Sequence, residues 1–131
     1  EDSEIKRFLK IRCPFNHMTV MFRKSEVEKA GGYIDWYHNE DYFLWVRMFL
    51  SGAYFYNLQE VLVYARTDSD FYSRRGGWRY FVSESKLQCY MYLKGVNNIF
   101  RCFINILIRL VIQVIIPNFL RKKLFITFFR Q

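Results

Sequence analysis

Apolar residues recur with helical spacing along much of the chain. Residues 3–10 have the pattern of the end of a helix, and Glu26 to Ala30 predict a short helix that Gly31 and Gly32 end. Asn39 is a suitable N-cap for a helix from about Glu40 to Leu50. Because apolar residues cover nearly every face of that segment, we expect it to be buried on most sides.

Three short runs favour strands instead. Residues 19–22, 54–58 and 61–64 are rich in β-branched, aromatic and aliphatic residues. A polar loop then extends from Arg66 to Arg75 and ends in two glycines. Short strands among packed helices predict an α/β region over residues 1–77.

The pattern returns to helix for residues 78–131, which we expect to form a separate helical, amphipathic region. One helix is predicted from Trp78 to Leu93 and a longer one from about 98 to 116, which Pro117 ends. The longer segment has nearly the length that crosses a bilayer. However, polar residues recur at every fourth position as a continuous stripe: Arg101, Asn105, Arg109 and Gln113.

That stripe argues against a membrane span, because one arginine near the middle costs roughly 2.5–3.5 kcal/mol on insertion scales. We expect the 98–116 helix to bury its apolar faces on the protein or on a membrane interface. Residues 119–130 combine apolar residues with Arg121, Lys122, Lys123 and Arg130, a composition typical of a helix lying on an anionic membrane surface. Packing of these helices on another protein domain or a second subunit is the alternative.

The distribution of charge along the chain also separates the N-terminal region from the helical C-terminal region. The net charge is +8, from 20 basic and 12 acidic residues. Residues 85–131 hold eight of the basic residues and no acidic one, so residues 1–84 carry 12 of each and are neutral. A basic, very apolar tail favours an anionic surface. Nucleic acid is a weak alternative, because no nucleic-acid-binding motif is present.

Chain length and cysteine content limit the number of domains, the kind of site and the cellular setting that the sequence fits. With 131 residues, of which 52% are hydrophobic, the chain fits one domain with a real core. A chain that begins within a helix suggests a piece of a longer protein. The cysteines Cys13, Cys89 and Cys102 form no closely spaced pair, so neither a zinc site nor a disulfide framework is indicated, and a reducing cytoplasm is expected.

The Glu40-Asp41 pair is the main candidate for chemistry. A carboxylate at the start of a buried helix is held in one geometry, as a general base requires. Acidic residues are also common in a first helical turn simply because they complement the helix dipole, by about 0.3–1 kcal/mol. From these residues alone, the second explanation is favoured.

The surrounding motifs change that weighting. Their order is Asn16 to Ser25, then Ala30-Gly31-Gly32-Tyr33, then Glu40 to Arg47, then Gly52, Leu58 to Tyr64 with Arg66, and finally Arg74 to Trp78. This order resembles the C-terminal half of bacterial family 2 glycosyltransferases that build capsular, exopolysaccharide or O-antigen chains. The resemblance covers nearly the whole chain and weakens at both ends.

The resemblance implies the acceptor-side part of a GT-A fold and an inverting transfer from a nucleotide-sugar. It implies that Asp41 deprotonates the acceptor hydroxyl, with Glu40 as the supporting or alternative carboxylate. A divalent metal, Mg²⁺ or Mn²⁺, is expected in the intact enzyme through an upstream Asp-x-Asp motif that this chain lacks. Asp68 and Asp70 have that spacing but follow the Glu-Asp helix, so they do not indicate a metal site.

Several residues are candidates for substrate binding. His17, with Asn16, lies in the shared motif and is suited to contact acceptor or diphosphate, or else to cap its own loop. Trp36 offers an indole for a sugar ring, whereas Trp45 is expected in the core. The remaining candidates lie on the polar loop, where guanidinium groups match phosphate oxygens or are paired with nearby aspartates: Arg66, Arg74 and Arg75.

These expectations define an enzyme on the cytoplasmic face of the inner membrane, bound peripherally. It would transfer a sugar to a lipid-linked or polysaccharide acceptor. The nucleotide-binding half of the same protein would supply the donor site, so this chain alone is expected to be inactive and to bind no metal. A non-catalytic membrane-docking or assembly module is the alternative function.

Overall fold

The computed structural model describes residues 1–64 and 76–117. Five α-helices follow one another in these residues, with a 3₁₀ turn after the first and a π-helical turn after the last. Their bounds are α1 Asp2–Leu9, the 3₁₀ turn His17–Thr19, α2 Lys24–Lys29, α3 Glu40–Leu50, α4 Trp78–Leu93, α5 Ile99–Leu110 and the π-helical turn Val111–Ile115.

Helix α3 lies at the centre of the core. All seven of its residues from Tyr42 to Met48 are buried, as the distribution of its apolar residues predicts. Helices α1 and α2 pack against it, and α4 contributes Leu87 and Met91 to the same buried cluster. The Tyr42 hydroxyl donates a hydrogen bond of 2.6 Å to the Leu9 carbonyl, which ties α3 to the end of α1. Residues on both sides of the predicted division at residue 77 therefore pack together.

None of the three predicted strands forms in the part of the chain that the structure describes. Thr19 ends the 3₁₀ turn, Val20 after it has extended backbone angles, and residues 53–64 have no regular secondary structure. Burial still alternates there, since Phe55 is 6% exposed whereas Tyr54 and Tyr56 are 75% and 58% exposed. A strand requires a neighbour to bond its backbone, and within the described ranges none lies alongside. The α/β fold class stays a prediction.

Helix α5 bears the predicted polar stripe, but the stripe faces inward. Asn105, Arg109 and Gln113 are buried, while Arg101, near the beginning of the helix, is exposed. Of the two expected locations for its apolar faces, the protein covers only a small part of them in the described residues, and a membrane interface stays a prediction. Long-range hydrogen bonds explain the orientation, because they satisfy polar groups that could not otherwise be buried at low cost.

Those hydrogen bonds tie α5 to α4 and to the end of α1. The Asn105 amide donates to the Lys10 carbonyl at 2.9 Å and to the Gln88 side-chain oxygen at 2.8 Å. Arg109 donates to the Ile11 carbonyl at 2.7 Å and pairs with the Glu84 carboxylate at 2.8 Å.

Across residues 1–64 and 76–117, no helix combines the length and the apolar character needed to cross a bilayer. The helix predicted for residues 119–130 lies outside the described residues.

Candidate active site

The predicted base lies in the first turn of α3. Asp41 is half-buried and Glu40 is exposed. One Asp41 carboxylate oxygen accepts a hydrogen bond of 2.6 Å from the Tyr42 backbone N–H. Because the residues that follow are buried in the core, the helix start is held firmly. A carboxylate here also lies at the positive end of the helix dipole.

The loop that leads into α3 is fastened to α4 through Ser83. The Ser83 hydroxyl donates to the Tyr37 carbonyl at 2.6 Å, and the Trp36 indole N–H donates to the Ser83 carbonyl at 3.1 Å. Asn39 takes the predicted N-cap position, but its side chain makes no capping hydrogen bond. Its amide instead donates to the Ser83 hydroxyl at 3.2 Å.

His38 interrupts this loop with a left-handed backbone conformation, at a φ of 52°. Such a conformation is uncommon for a residue other than glycine and costs about 1–3 kcal/mol. The contacts of its neighbours with Ser83 hold it in place. The strained residue thus lies two positions before Glu40.

A second pair of residues lies within electrostatic range of the carboxylates. His17 Nε2 and the Tyr33 hydroxyl are 2.8 Å apart and hydrogen-bonded, with the two rings stacked. Burial and then the negative charges of Asp41 and Glu40 raise the pKa of Tyr33 above its ordinary value. His17 therefore bonds a side chain next to the candidate base, and the alternative that it caps its own loop is not observed.

Arg47 holds the glycine turn from which Tyr33 extends. Its guanidinium donates to the Ala30 carbonyl at 2.6 Å and to the Gly32 carbonyl at 2.7 Å. Gly31 and Gly32 have φ values of 85° and 67°, a region that favours glycine. One buried cation on α3 thereby fixes the turn that positions Tyr33.

A cavity of about 540 Å³ opens next to the loop that leads into α3. Its walls include two indoles, those of Trp36 and Trp78, two cations, Arg79 and Lys86, and one carboxylate, that of Asp35. Trp36 is half-buried and packs on the Phe43 ring at 4.3 Å between centroids. Aromatic faces beside cations suit a sugar ring next to a phosphate. The predicted role of Trp36 in stacking on a sugar stays a prediction.

The other predicted residues are distributed differently. Asn16 precedes the 3₁₀ turn, and its carbonyl accepts hydrogen bonds from the Thr19 backbone and side chain at 2.9 and 2.8 Å. Trp45 is buried, as expected. Three candidates for substrate binding lie outside the described residues: Arg66, Arg74 and Arg75.

Residues 1–64 and 76–117 contain no group of three His, Cys, Asp or Glu side chains placed to hold a metal ion. The divalent metal expected in the intact enzyme stays a prediction.

Sequence reasoning missed Tyr33, Arg47 and Ser83 as residues that build the site. Tyr33 and Arg47 lie within the Gly-Gly-Tyr and Glu-Asp motifs, so their position carried a usable signal. Ser83 is a serine within a helix, 44 positions beyond Asn39, and its contact with that residue has no local signature.

Three curated relatives are similar to this chain. It is 39% identical to an uncharacterized glycosyltransferase of Haemophilus influenzae, over 98% of this chain and 47% of the relative. It is 36% identical to a UDP-Gal:alpha-D-GlcNAc-diphosphoundecaprenol beta-1,3-galactosyltransferase of Escherichia coli, over 89% of this chain and 42% of the relative. It is 42% identical to an amylovoran biosynthesis glycosyltransferase of Erwinia amylovora, over 66% of this chain and 32% of the relative.

No family model matches the chain, and no solved structure matches it. The chain spans about half the length, or less, of the curated relatives it matches. Over that span it is a homologue of bacterial proteins named as glycosyltransferases.

Proposed function

We propose that the protein containing this chain is an inverting glycosyltransferase of family 2, and that this chain supplies the acceptor side of its active site. The observation that carries the proposal is the half-buried Asp41 at the start of α3, whose charge helps to raise the pKa of Tyr33, the hydrogen-bond partner of His17. The names of the relatives support the same class of reaction.

In this proposal Asp41 acts as the base in one displacement. The acceptor hydroxyl oxygen forms a bond to the anomeric carbon of the donor sugar while its proton passes to the Asp41 carboxylate. The bond from that carbon to the diphosphate oxygen breaks, and its electron pair leaves with the nucleoside diphosphate. Attack opposite the leaving group inverts the anomeric centre. A helix-held carboxylate suits this task because proton transfer requires fixed geometry.

The acceptor is proposed to be a lipid-linked or growing polysaccharide. One relative acts, by its name, on a sugar carried by diphosphoundecaprenol. The cavity beside Trp36 offers indole faces together with Arg79 and Lys86, which fits a sugar joined to a diphosphate. Such an acceptor places the enzyme on the cytoplasmic face of the membrane.

The donor site is proposed to lie in a nucleotide-binding half of the same protein, with the GT-A fold. Any Mg²⁺ or Mn²⁺ that neutralises the leaving diphosphate would be bound there, by the Asp-x-Asp motif that the resemblance implies.

The test is a transfer assay on the natural protein that contains this chain. A panel of UDP-sugars is supplied with a sugar-diphosphate-lipid acceptor, and the product linkage is determined by NMR. We expect transfer from one donor with inversion at the anomeric carbon. Retention of configuration would exclude the single displacement, and absence of transfer from every nucleotide-sugar would favour a non-catalytic docking module.

A docking module is the second candidate, because the outward surface of α5 is apolar. The two functions are separable, since Asp41 lies on α3 and contributes nothing to that surface. A variant of Asp41 that loses membrane binding would favour neither function and would instead indicate a folding defect.

A further inference from the structure

Helix α5 has the reverse of the usual arrangement for a surface helix, with polar residues inside and apolar residues outside. Large apolar side chains, between 37% and 70% exposed, cover its outward surface. We name this surface the α5 apolar face. It consists of Phe100, Phe103, Ile104, Leu107 and Ile108 of α5, together with Val111 at the start of the π-helical turn that follows.

The α5 apolar face is fixed in this orientation by the polar stripe on the opposite side. Asn105 and Arg109 make the hydrogen bonds and the ion pair described above, and Gln113 donates to the Glu84 carboxylate at 2.5 Å. Rotating α5 to bury its apolar residues would break these contacts and leave Glu84 without its cation. The helix therefore keeps its apolar side outward.

An apolar groove of about 410 Å³ between α4 and α5 extends the same surface. On α5 it is lined by Ile106, which is one helical turn from Phe103 and so adjoins the α5 apolar face. From α4 come Phe81, Val82, Cys89, Tyr90 and Leu93, with Lys86 as the charged residue of the lining.

A continuous apolar surface of this kind on a folded domain marks a place that another phase or molecule covers. The charges nearby indicate what covers this surface. Lys86, Lys94 and Arg101 are exposed, and no acidic residue follows Glu84 in the sequence. Glu84 itself is engaged with Arg109 and Gln113. The surface of α4 and α5 thus combines apolar side chains with positive charge.

We propose that the α5 apolar face and the adjoining groove rest on an anionic lipid bilayer, with α5 parallel to the membrane plane. Basic residues beside an interfacial helix attract anionic headgroups while its apolar side enters the acyl boundary. The polar stripe, which would oppose insertion on a free helix, opposes it less here because Asn105 and Arg109 make their hydrogen bonds and ion pair within the protein. The proposed function is deepened in one respect, since a lipid-linked acceptor would be met at the same surface.

The test is flotation of the full 131-residue chain with lipid vesicles. Vesicles of phosphatidylethanolamine and phosphatidylglycerol are compared with vesicles of phosphatidylcholine. The double variant Phe103→Ser/Leu107→Ser removes apolar area at exposed positions and leaves the inward contacts of α5 unchanged. The matched control is Tyr54→Ser/Leu58→Ser, which removes exposed apolar side chains away from α5.

We expect the unmodified chain to bind the anionic vesicles, and to bind phosphatidylcholine vesicles more weakly. The α5 double variant should lose about tenfold or more in binding, because each side chain contributes on the order of 1 kcal/mol or more when it enters lipid. The control should stay within about twofold of the unmodified chain. Raising the salt concentration should weaken binding, since headgroup attraction is screened. Circular dichroism confirms that both variants fold.

Three outcomes would overturn the proposal. The first is an unmodified chain that does not float with anionic vesicles. The second is unchanged binding by the α5 double variant, which would place the contact on another part of the chain, such as residues 119–130. The third is an unmodified chain that forms a dimer which the double variant dissociates, since a second copy would then cover the face. If the natural protein transfers no sugar while this chain still binds vesicles, the result would count against the proposed function and not against membrane binding by α5.

Discussion

The 2.8 Å hydrogen bond between His17 Nε2 and the Tyr33 hydroxyl joins the loop before α2 to the loop before α3. The negative charges of Asp41 and Glu40 act on the same tyrosine and help to raise its pKa. Residues separated by up to 24 positions in the sequence are therefore brought to one place, and the glycine turn held by Arg47 sets that place.

This arrangement predicts the effect of Tyr33→Phe. The substitution keeps the ring but removes the hydroxyl, so His17 loses its partner beside Asp41. Because one neutral hydrogen bond contributes about 1 kcal/mol to stability, we expect the free energy of unfolding to fall by about that amount or less. Transfer in the natural protein should weaken by about fivefold, which corresponds to about 1 kcal/mol. Steady-state rates and thermal unfolding check this. An activity loss as large as that of an Asp41 variant would contradict a positioning role for Tyr33.

Arg47 should be important for stability despite its charge. Arg47→Met removes two charge-assisted hydrogen bonds to half-buried backbone carbonyls, and we expect a loss of about 2–4 kcal/mol in the free energy of unfolding. Arg47→Lys should recover only part of it, because an ammonium group does not reproduce the guanidinium fork. Urea titration measures both. The exposed Arg101→Met is the matched control, and equal losses at the two positions would disprove the account.

The Glu84–Arg109 pair predicts a non-additive mutant cycle. Arg109→Met leaves the Glu84 carboxylate half-buried without its cation, which costs about 3–5 kcal/mol for a buried pair. Adding Glu84→Gln removes the unpaired charge, so the double variant should be more stable than Arg109→Met alone. Denaturant unfolding of the four proteins gives the coupling energy. Strict additivity would mean that the pair contributes nothing.

Much of this fold was predictable from the sequence, because local patterns determine it. The buried α3 with Asn39 before it follows from helical periodicity and from the capping preference of asparagine. The cost of an arginine in lipid argued against a span over 98–116, and no helix of the described residues is long and apolar enough for one. Which way the stripe faces was not predictable, because it depends partly on the Lys10 and Ile11 carbonyls, which lie 95 and 98 positions from Asn105 and Arg109.

The strand predictions went wrong for a related reason. Residues 54–58 have the composition of a strand, yet a strand forms only beside a neighbour that bonds its backbone. The candidate site shows the same limit. Motif order led to the hypotheses for Asp41 and His17. The anchoring of the loop by Ser83 depends instead on how α4 packs and leaves no trace in local sequence.

The buried Tyr42 predicts a pH dependence of stability. Burial raises the pKa of its hydroxyl far above the ordinary value of about 10. The unfolded chain then loses this proton at a lower pH than the folded chain, so the stability it provides is present below pH ~10 and is lost as pH rises above that value. As the pH is raised into the alkaline range, the midpoint temperature of thermal unfolding should fall more steeply for the unmodified chain than for Tyr42→Phe. Parallel curves would show that Tyr42 is not the group responsible.

The central claim is that Asp41 is the base, and one comparison tests it most directly. Initial rates of sugar transfer are measured for the natural protein carrying Asp41→Asn or, as the matched control, Glu40→Gln. Both changes remove one negative charge from the first turn of α3, so their effects on the helix should be similar. We expect Asp41→Asn to lower the rate by about 10²–10⁴-fold, with folding and donor binding retained, and Glu40→Gln to have a much smaller effect. Transfer at the unmodified rate by Asp41→Asn would contradict the account.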